Sequence, residues 1–456
     1  MNTPTLWKLD ATALTRGYAD GRFKPSQALE AIHARIDEVN PTINAIIAEN
    51  RAGAREAAIR STLRWRERAP MSALDGVPFT VKDNIFAAAL PATWGSAAYK
   101  GFQLDEDDPA IARLRAAGAI IIGKTNVPEF TVQGYTSNSL FGPTFNPLAP
   151  GRTPGGSTGG GAAAVAAGFG PLAIGTDGGG SVRRPAAHCG LFGLKPSIGQ
   201  IARIGGFRQI LADFEVIGPL ARSLADLSAA FSTMRGSDPR DPLSQVASAP
   251  SRHFSLNLRT GYFAGIGAAP VDPEIIEASD RFATSLADKG FGVMPIDALF
   301  DLEHVNQVWG TIAAAGLAWE VGHLGAKANL IGDNARAMSD RGRGLHLAGT
   351  QGGARRGREN ACGRSGAVGA LRPAFVPLDG RARLPGERAV SRRDRRQAGR
   401  TARPRHFHRL DERRRPLRPQ YSGRVDCRRR RDRHATGSGP GTRPRSERIL
   451  AGFTGA

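Results

Sequence analysis

The sequence predicts an α/β fold, and two observations predict it. Over the first 340 residues, stretches with helical apolar spacing alternate with short apolar runs of strand length. The 456-residue chain is also 41% apolar without an internal repeat, which suits one large core rather than an array of small ones.

The elements follow in order. Ser26 can cap a helix whose apolar stripe is Leu29, Ile32, Ile36 and Val39. Residues 77–81, Val-Pro-Phe-Thr-Val, alternate as a strand entering a core, and they lead directly to Lys82. Residues 110–117 form a helix ended by Gly118, and residues 119–122, Ala-Ile-Ile-Ile, form a short buried strand. Three glycines at 159–161 and the run Ala-Ala-Ala-Val-Ala-Ala to residue 167 read as a loop opening into a closely packing helix. The N-terminal dipole of that helix points back toward Ser157. Helices near 223–234, 273–289 and 303–321 follow.

Charge divides the chain in two. Residues 341–456 hold 31 arginines, no lysine and 9 acidic residues, a net of +22. The remainder holds 31 basic and 32 acidic residues, a net of −1, so the overall +21 belongs to the tail. From about residue 345 the periodicity collapses into Arg, Gly and Pro runs such as 392–396, 413–415 and 428–433. Such a segment buries too little apolar surface to offset its ordering entropy. The domains expected are therefore 1–344 and a tail, 345–456, that is frameshifted or disordered. The frameshift is a hypothesis motivated by the absence of lysine; resequencing codons 342–350 would sink it if no other frame restored an α/β-like ending. A basic arm for nucleic acid is the competing reading. It is disfavoured because stacking aromatics are few, Phe375, Phe407, Tyr421 and Phe453.

Three side chains carry the chemistry. Lys82 lies in Gly76-Val-Pro-Phe-Thr-Val-Lys-Asp-Asn-Ile85, Ser157 in Thr153-Pro-Gly-Gly-Ser-Thr-Gly-Gly-Gly161, and Ser181 in Gly175-Thr-Asp-Gly-Gly-Gly-Ser-Val-Arg-Arg-Pro185. A serine attacks an acyl group only after a base takes its proton. A lysine serves as that base once burial disfavours its charged form, and a second serine hydroxyl can relay the proton. The N–H groups of Gly178, Gly179, Gly180 and Ser181, unobstructed by side chains, can hold an oxyanion.

These motifs, with Pro185-Ala-Ala-His-Cys-Gly-Leu-Phe-Gly-Leu-Lys-Pro196, resemble the amidase signature family of serine hydrolases. The resemblance is dense from Leu74 to Gly199 and weaker from near residue 5 to about 344. It implies an α/β fold with a mixed central sheet and helices around it. By position it makes Ser181 the nucleophile, Ser157 the cis bridging serine and Lys82 the base. It further implies that Asp177 and Arg183 pair as structural support for the glycine loop. Thr158 stands where a second serine is frequent, and His188 where an aromatic is usual. The activity implied is hydrolysis of a carboxylic amide C–N bond. A tRNA-dependent amidotransferase subunit that releases ammonia resembles the same family and is the alternative. An inactive relic, its sheet left incomplete by the tail, is a further one.

Other chemistries fit less well. Gly155-Gly-Ser-Thr-Gly159 matches a nucleophile elbow, but four prolines in residues 141–154 exclude the strand that an elbow requires. Lys195 is a rival base by type only and reads as structural. Cys189, Cys362 and Cys427 have no metal-ligand spacing, and no nucleotide loop is present, so no cofactor and no metal are expected. Cys189 reads as a small buried residue. No run of 18 apolar residues and no apolar leader occur, so a cytoplasmic protein without a membrane partner is expected. The substrate is expected to be a small-molecule amide. Tyr135, Thr136 and Asn138 lie in a loop within reach of the site, and neither the particular amide nor the oligomeric state is legible.

Overall fold

The computed structural model describes residues 3–350, apart from 205, 246–258, 264, 266–268 and 297–301. The arginine-rich tail from residue 351 on, and with it Cys362, Cys427 and the nucleic-acid arm, lies outside the described residues. The described strands are β1 Ile46–Glu49, β2 Pro78–Lys82, β3 Ile120–Thr125, β4 Ser137–Asn138, β5 Gly142–Pro143, β6 Leu172–Asp177, β7 Phe192–Gly193, β8 Val216–Ala221, β9 Arg259–Tyr262 and β10 Gly292–Pro295. The helices are α1 Ala11–Ala19, α2 Pro25–Ile43, α3 Arg51–Arg66, α4 Pro109–Ala116, α5 Gly159–Ala167, α6 Arg183–His188, α7 Leu224–Met234, α8 Pro273–Asp288, α9 Leu302–His323 and α10 Asp333–Thr350.

The central sheet is mixed, as the resemblance implies. Its order is β1-β3-β2-β6-β8-β7, with β3, β2 and β6 parallel and the other pairings antiparallel. Alternation along the strands sorts side chains onto two faces. Phe79, Val81, Ile121, Leu172, Ile174 and Ile217 pack with Ile111, Leu114 and Leu227 of α4 and α7. Ile120 and Ile122 pack on the opposite face with Leu29, Ile32 and Ile36 of α2, Ala54 of α3 and Ala163 of α5. Burying a side chain of this size contributes about 1.5–3 kcal/mol, so both layers are strongly held to the sheet.

Most expected elements form where the spacing places them. The first helix starts differently: Pro25 occupies its first turn, so Lys24 takes the cap position and Ser26 lies inside the helix. The Lys24 N–H donates to Gln27 Oε1 at 2.9 Å, which replaces the expected serine cap. Ser223, by contrast, caps α7 by accepting from the Asp226 N–H at 3.1 Å. The glycines at 159–161 belong to α5 itself rather than to a preceding loop. Helix α10 runs to Thr350, past residue 344. Among the described residues, no helix is long and apolar enough to cross a membrane.

Candidate active site

Three segments meet at the ends of β2 and β6. The whole of β2 is buried, which carries Lys82 at its last position into the interior. Lys82 Nζ donates to Ser157 Oγ at 2.8 Å, to Thr176 Oγ1 at 2.8 Å and to the Thr176 carbonyl at 3.2 Å. Burial pushes its pKa down to about 7, against the pull of the Glu215 and Asp177 carboxylates.

Ser157 follows a cis Gly156–Ser157 peptide and is almost fully buried. Its segment is braced from two sides. Thr136 Oγ1 donates to the Gly155 carbonyl at 2.8 Å, and Arg184 Nη1 donates to the Gly156 carbonyl at 3.1 Å. The last strand before it, β5, ends at Pro143, so no strand runs directly into Ser157, consistent with rejection of the nucleophile elbow. Thr136 is thus a brace. Asn138 is another, its Nδ2 donating to Asn126 Oδ1 and the Val127 carbonyl at 2.7 Å each. Tyr135 OH accepts from Asn334 Nδ2 at 3.4 Å.

Ser181 ends the loop that leaves β6, and it is partly exposed. Its carbonyl accepts from the Thr158 N–H at 3.1 Å, which joins its backbone to the residue after Ser157. Its hydroxyl has no hydrogen-bond partner among the described residues, whereas the Ser157 hydroxyl is held by Lys82.

Asp177 organises the loop. It is fully buried and accepts from Arg183 Nε at 3.0 Å and Nη2 at 2.9 Å, so the expected pairing is present. It also accepts the N–H groups of Gly180 at 2.8 Å and Val182 at 3.0 Å. Burial raises its pKa, but the Arg183 fork and these N–H groups outweigh that and hold the carboxyl at about 2. The Gly180 N–H, expected among the oxyanion donors, is therefore engaged by Asp177, and Gly180 itself adopts a left-handed φ of 100°. Those of Gly178, Gly179 and Ser181 make no hydrogen bond among the described residues. Trp309 of α9 backs the loop by donating from Nε1 to the Gly178 carbonyl at 3.2 Å.

Several participants escape a reading from sequence. Thr176 and Asn84 lie inside the quoted motifs, so their position was a usable signal. Asn84 Nδ2 donates to Thr176 Oγ1 at 3.2 Å and to Glu215 Oε1 at 3.3 Å. Glu215 pairs with Arg203 at 3.0 Å, and nothing in the sequence joins those two charges to the site. Lys195 donates to the Pro196 carbonyl at 3.0 Å, in keeping with a structural role. Cys189 is buried, as expected.

A family model described as Amidase matches residues 27–343. The chain belongs to the amidase signature family. An acylamidase of Rhodococcus erythropolis is 38% identical over 286 residues, covering 60% of this chain and 59% of that protein. A glutamyl-tRNA(Gln) amidotransferase subunit of Chloroflexus aurantiacus is 40% identical over 290 residues, covering 62% of this chain and 59% of that protein. The chain thus spans about three fifths of the length of these curated relatives. Among solved structures, a 6-aminohexanoate cyclic dimer hydrolase complexed with substrate superposes with a TM-score of 0.65 and 31% identity, covering 74% of this chain and 72% of that one. A native peptide amidase from Stenotrophomonas maltophilia gives 0.62 and 28%, covering 73% and 75%.

Proposed function

We propose that this amidase-family chain hydrolyses the C–N bond of a carboxylic amide through an acyl-enzyme on Ser181. The observation that supports this reading most is a fully buried lysine, with its pKa near neutral, held 2.8 Å from the hydroxyl of Ser157. As an ammonium, Lys82 has three N–H groups for three acceptors: Ser157 Oγ, Thr176 Oγ1 and the Thr176 carbonyl. As a neutral amine it keeps two N–H groups for Thr176 and turns a lone pair toward Ser157. Ser157 then switches from acceptor to donor without moving.

The reaction uses that switch. Ser181 Oγ attacks the amide carbon while its proton passes to Ser157 Oγ, whose own proton passes to Lys82 Nζ. The N–H groups of Gly178, Gly179 and Ser181 hold the oxyanion, each donor lowering the barrier by about 3 kcal/mol. The proton returns by the same route to the departing amine as the C–N bond breaks, and water then repeats the cycle to release the acid. Asp177 and Arg183 hold the loop and take no part in proton transfer. We assign this chemistry to the domain of residues 1–344.

A second reading is favoured by the 40% identity to an amidotransferase component: the same site releasing ammonia from a carboxamide for a partner protein. Glutaminase activity and co-purification of a second polypeptide would select it over a free-standing amidase.

Labelling with a fluorophosphonate, followed by peptide mapping, tests the chemistry common to both. Modification is expected at Ser181, slowed by about 10²–10⁴ in Lys82→Ala, the usual contribution of a general base. A soluble, cooperatively melting chain without modification at Ser181 would refute the proposal and mark the chain as an inactive relic.

A further inference from the structure

We propose that Arg203 is a positioning residue for Lys82: by pairing with Glu215, it neutralises a carboxylate that would otherwise keep a proton on the lysine. The inference rests on the acyl-transfer reading above and adds a determinant of when the base is free.

The geometry is a continuous chain of hydrogen bonds. Lys82 Nζ meets Thr176 Oγ1 at 2.8 Å, Thr176 Oγ1 accepts from Asn84 Nδ2 at 3.2 Å, and the same Nδ2 reaches Glu215 Oε1 at 3.3 Å. Asn84 Oδ1 is buried without a partner among the described residues. The amide therefore turns its donors toward the carboxylate and the hydroxyl at the expense of its own acceptor, and the reverse orientation would set oxygen against oxygen at Glu215. At the far end, Arg203 Nη2 donates to Glu215 Oε1 at 3.0 Å, and Nη1 donates to the Glu215 carbonyl at 3.2 Å. The two side chains are only 10% and 4% exposed, so water screens the pair weakly.

The charged groups that act on Lys82 are Glu215 before β8, Asp177 at the end of β6, and Arg203. Each carboxylate has its own guanidinium: Asp177 has Arg183 and Glu215 has Arg203. The Asp177 pair also builds the glycine loop. The Glu215 pair touches neither serine, and its link to the site is the chain through Asn84 and Thr176. Burial alone favours a neutral lysine, an unpaired carboxylate nearby would reverse that, and the arginine prevents the reversal.

The rate of Ser181 modification by the fluorophosphonate, followed against pH in the full chain, tests the assignment. Glu215→Gln preserves the shape of the side chain and an acceptor for Arg203 and Asn84 while removing the charge. Its acid limb is expected to move down by about one pH unit, whereas Arg203→Met is expected to move the limb up by about one. The double variant should return to within about half a unit of the wild type. A purely structural role would slow modification without moving the limbs in opposite directions. Limbs that stay in place, or that move in the same direction, overturn the inference. If Arg203→Met does not fold, the Glu215→Gln limb alone decides, because a fixed or raised midpoint is enough to refute it. Wild-type protein unmodified at Ser181, or modification that survives Lys82→Ala, removes the acyl-transfer reading and this inference with it.

Discussion

Replacing Gly175 by alanine probes how tightly the two serine segments are locked together. Gly175 lies in β6 against Thr158, the residue after Ser157, and a Cβ added there would sit 2.4 Å from Thr158 Cγ2 and 2.6 Å from Thr158 Oγ1. Thr158 cannot swing clear easily. It is fully buried, its N–H donates to the Ser181 carbonyl at 3.1 Å, and its hydroxyl donates to the Thr176 carbonyl at 3.3 Å. Reduced unfolded-state entropy would favour alanine by about 0.4–1 kcal/mol, but overpacking a filled core costs about 1–3 kcal/mol, so the net effect is destabilising. The melting temperature should fall by a few degrees, at roughly 2–4 °C per kcal/mol. The functional loss should be larger. Displacing Thr158 pulls Ser157 off Lys82 and loosens the tie to Ser181, and a misplacement of about 1 Å at a reacting group costs on the order of 10²-fold in rate. Melting and the rate of Ser181 modification are measured together for Gly175→Ala and for Gly175→Ala/Thr158→Ala. The second change removes Cγ2 and Oγ1 and leaves a contact of 3.0 Å to Thr158 Cβ, so it should restore most of the rate. Wild-type rate in the single variant, or no recovery in the double, would refute the reasoning.

Other expectations follow from the buried charges. The Asp177 carboxyl is held at about 2, below its unfolded value of 3.8, so it stabilises the fold fully above pH 4 and loses that contribution as pH falls toward 2. The contribution is about 1–2 kcal/mol, reduced from the full shift because Arg183 is half-exposed. Asp177→Asn should therefore melt below the wild type at pH 7, with the gap narrowing toward pH 2; a gap independent of pH would contradict this. Lys124→Met should be among the most destabilising single changes. It leaves the carbonyls of Asp83, Ile85 and Pro91, now bonded at 3.2, 2.6 and 3.0 Å, without their donor. At about 1–3 kcal/mol for each unsatisfied buried group, denaturant titration should report a loss of 3 kcal/mol or more, and a loss below about 1 kcal/mol would contradict this account.

What the sequence made legible depended on whether the signal was local. The stripe Leu29, Ile32 and Ile36 packs against Ile120 and Ile122 in one buried layer while Ile121 between them faces the other, because a period of 3.6 or 2 is written in consecutive residues. Lys82 and Ser157 were found through their motifs, and they meet at 2.8 Å. Strands β9 and β10 carried no such signal: they are short and only partly buried, and they pair in parallel across α8. Arg203 and Glu215 were illegible for a different reason. A lone charge is usually a solvated surface group, and only the fold brings these two under Asn84. The Gly180 N–H was misread because three adjacent glycines look equivalent in sequence, whereas the turn commits one of them to Asp177.

Lys124 shows why burial alone does not make a base. It sits on β3 opposite Val81, while its neighbour Thr125 sits opposite Lys82, so alternation sends the two lysines to opposite faces of adjacent parallel strands. Both are fully buried, and burial lowers both, Lys82 to about 7 and Lys124 to about 8. Their partners separate them. Lys124 faces three backbone carbonyls, which accept and never donate, so a neutral Lys124 would lack one of its three bonds and no neighbour could return a proton to its lone pair. Lys82 faces two hydroxyls and one carbonyl, and each hydroxyl can reverse its direction. The carbonyl cage makes Lys124 a brace for the loop from Asp83 to Pro91. The hydroxyl contacts let Lys82 gain and lose a proton in a fixed position, which is what the proposed chemistry asks of it.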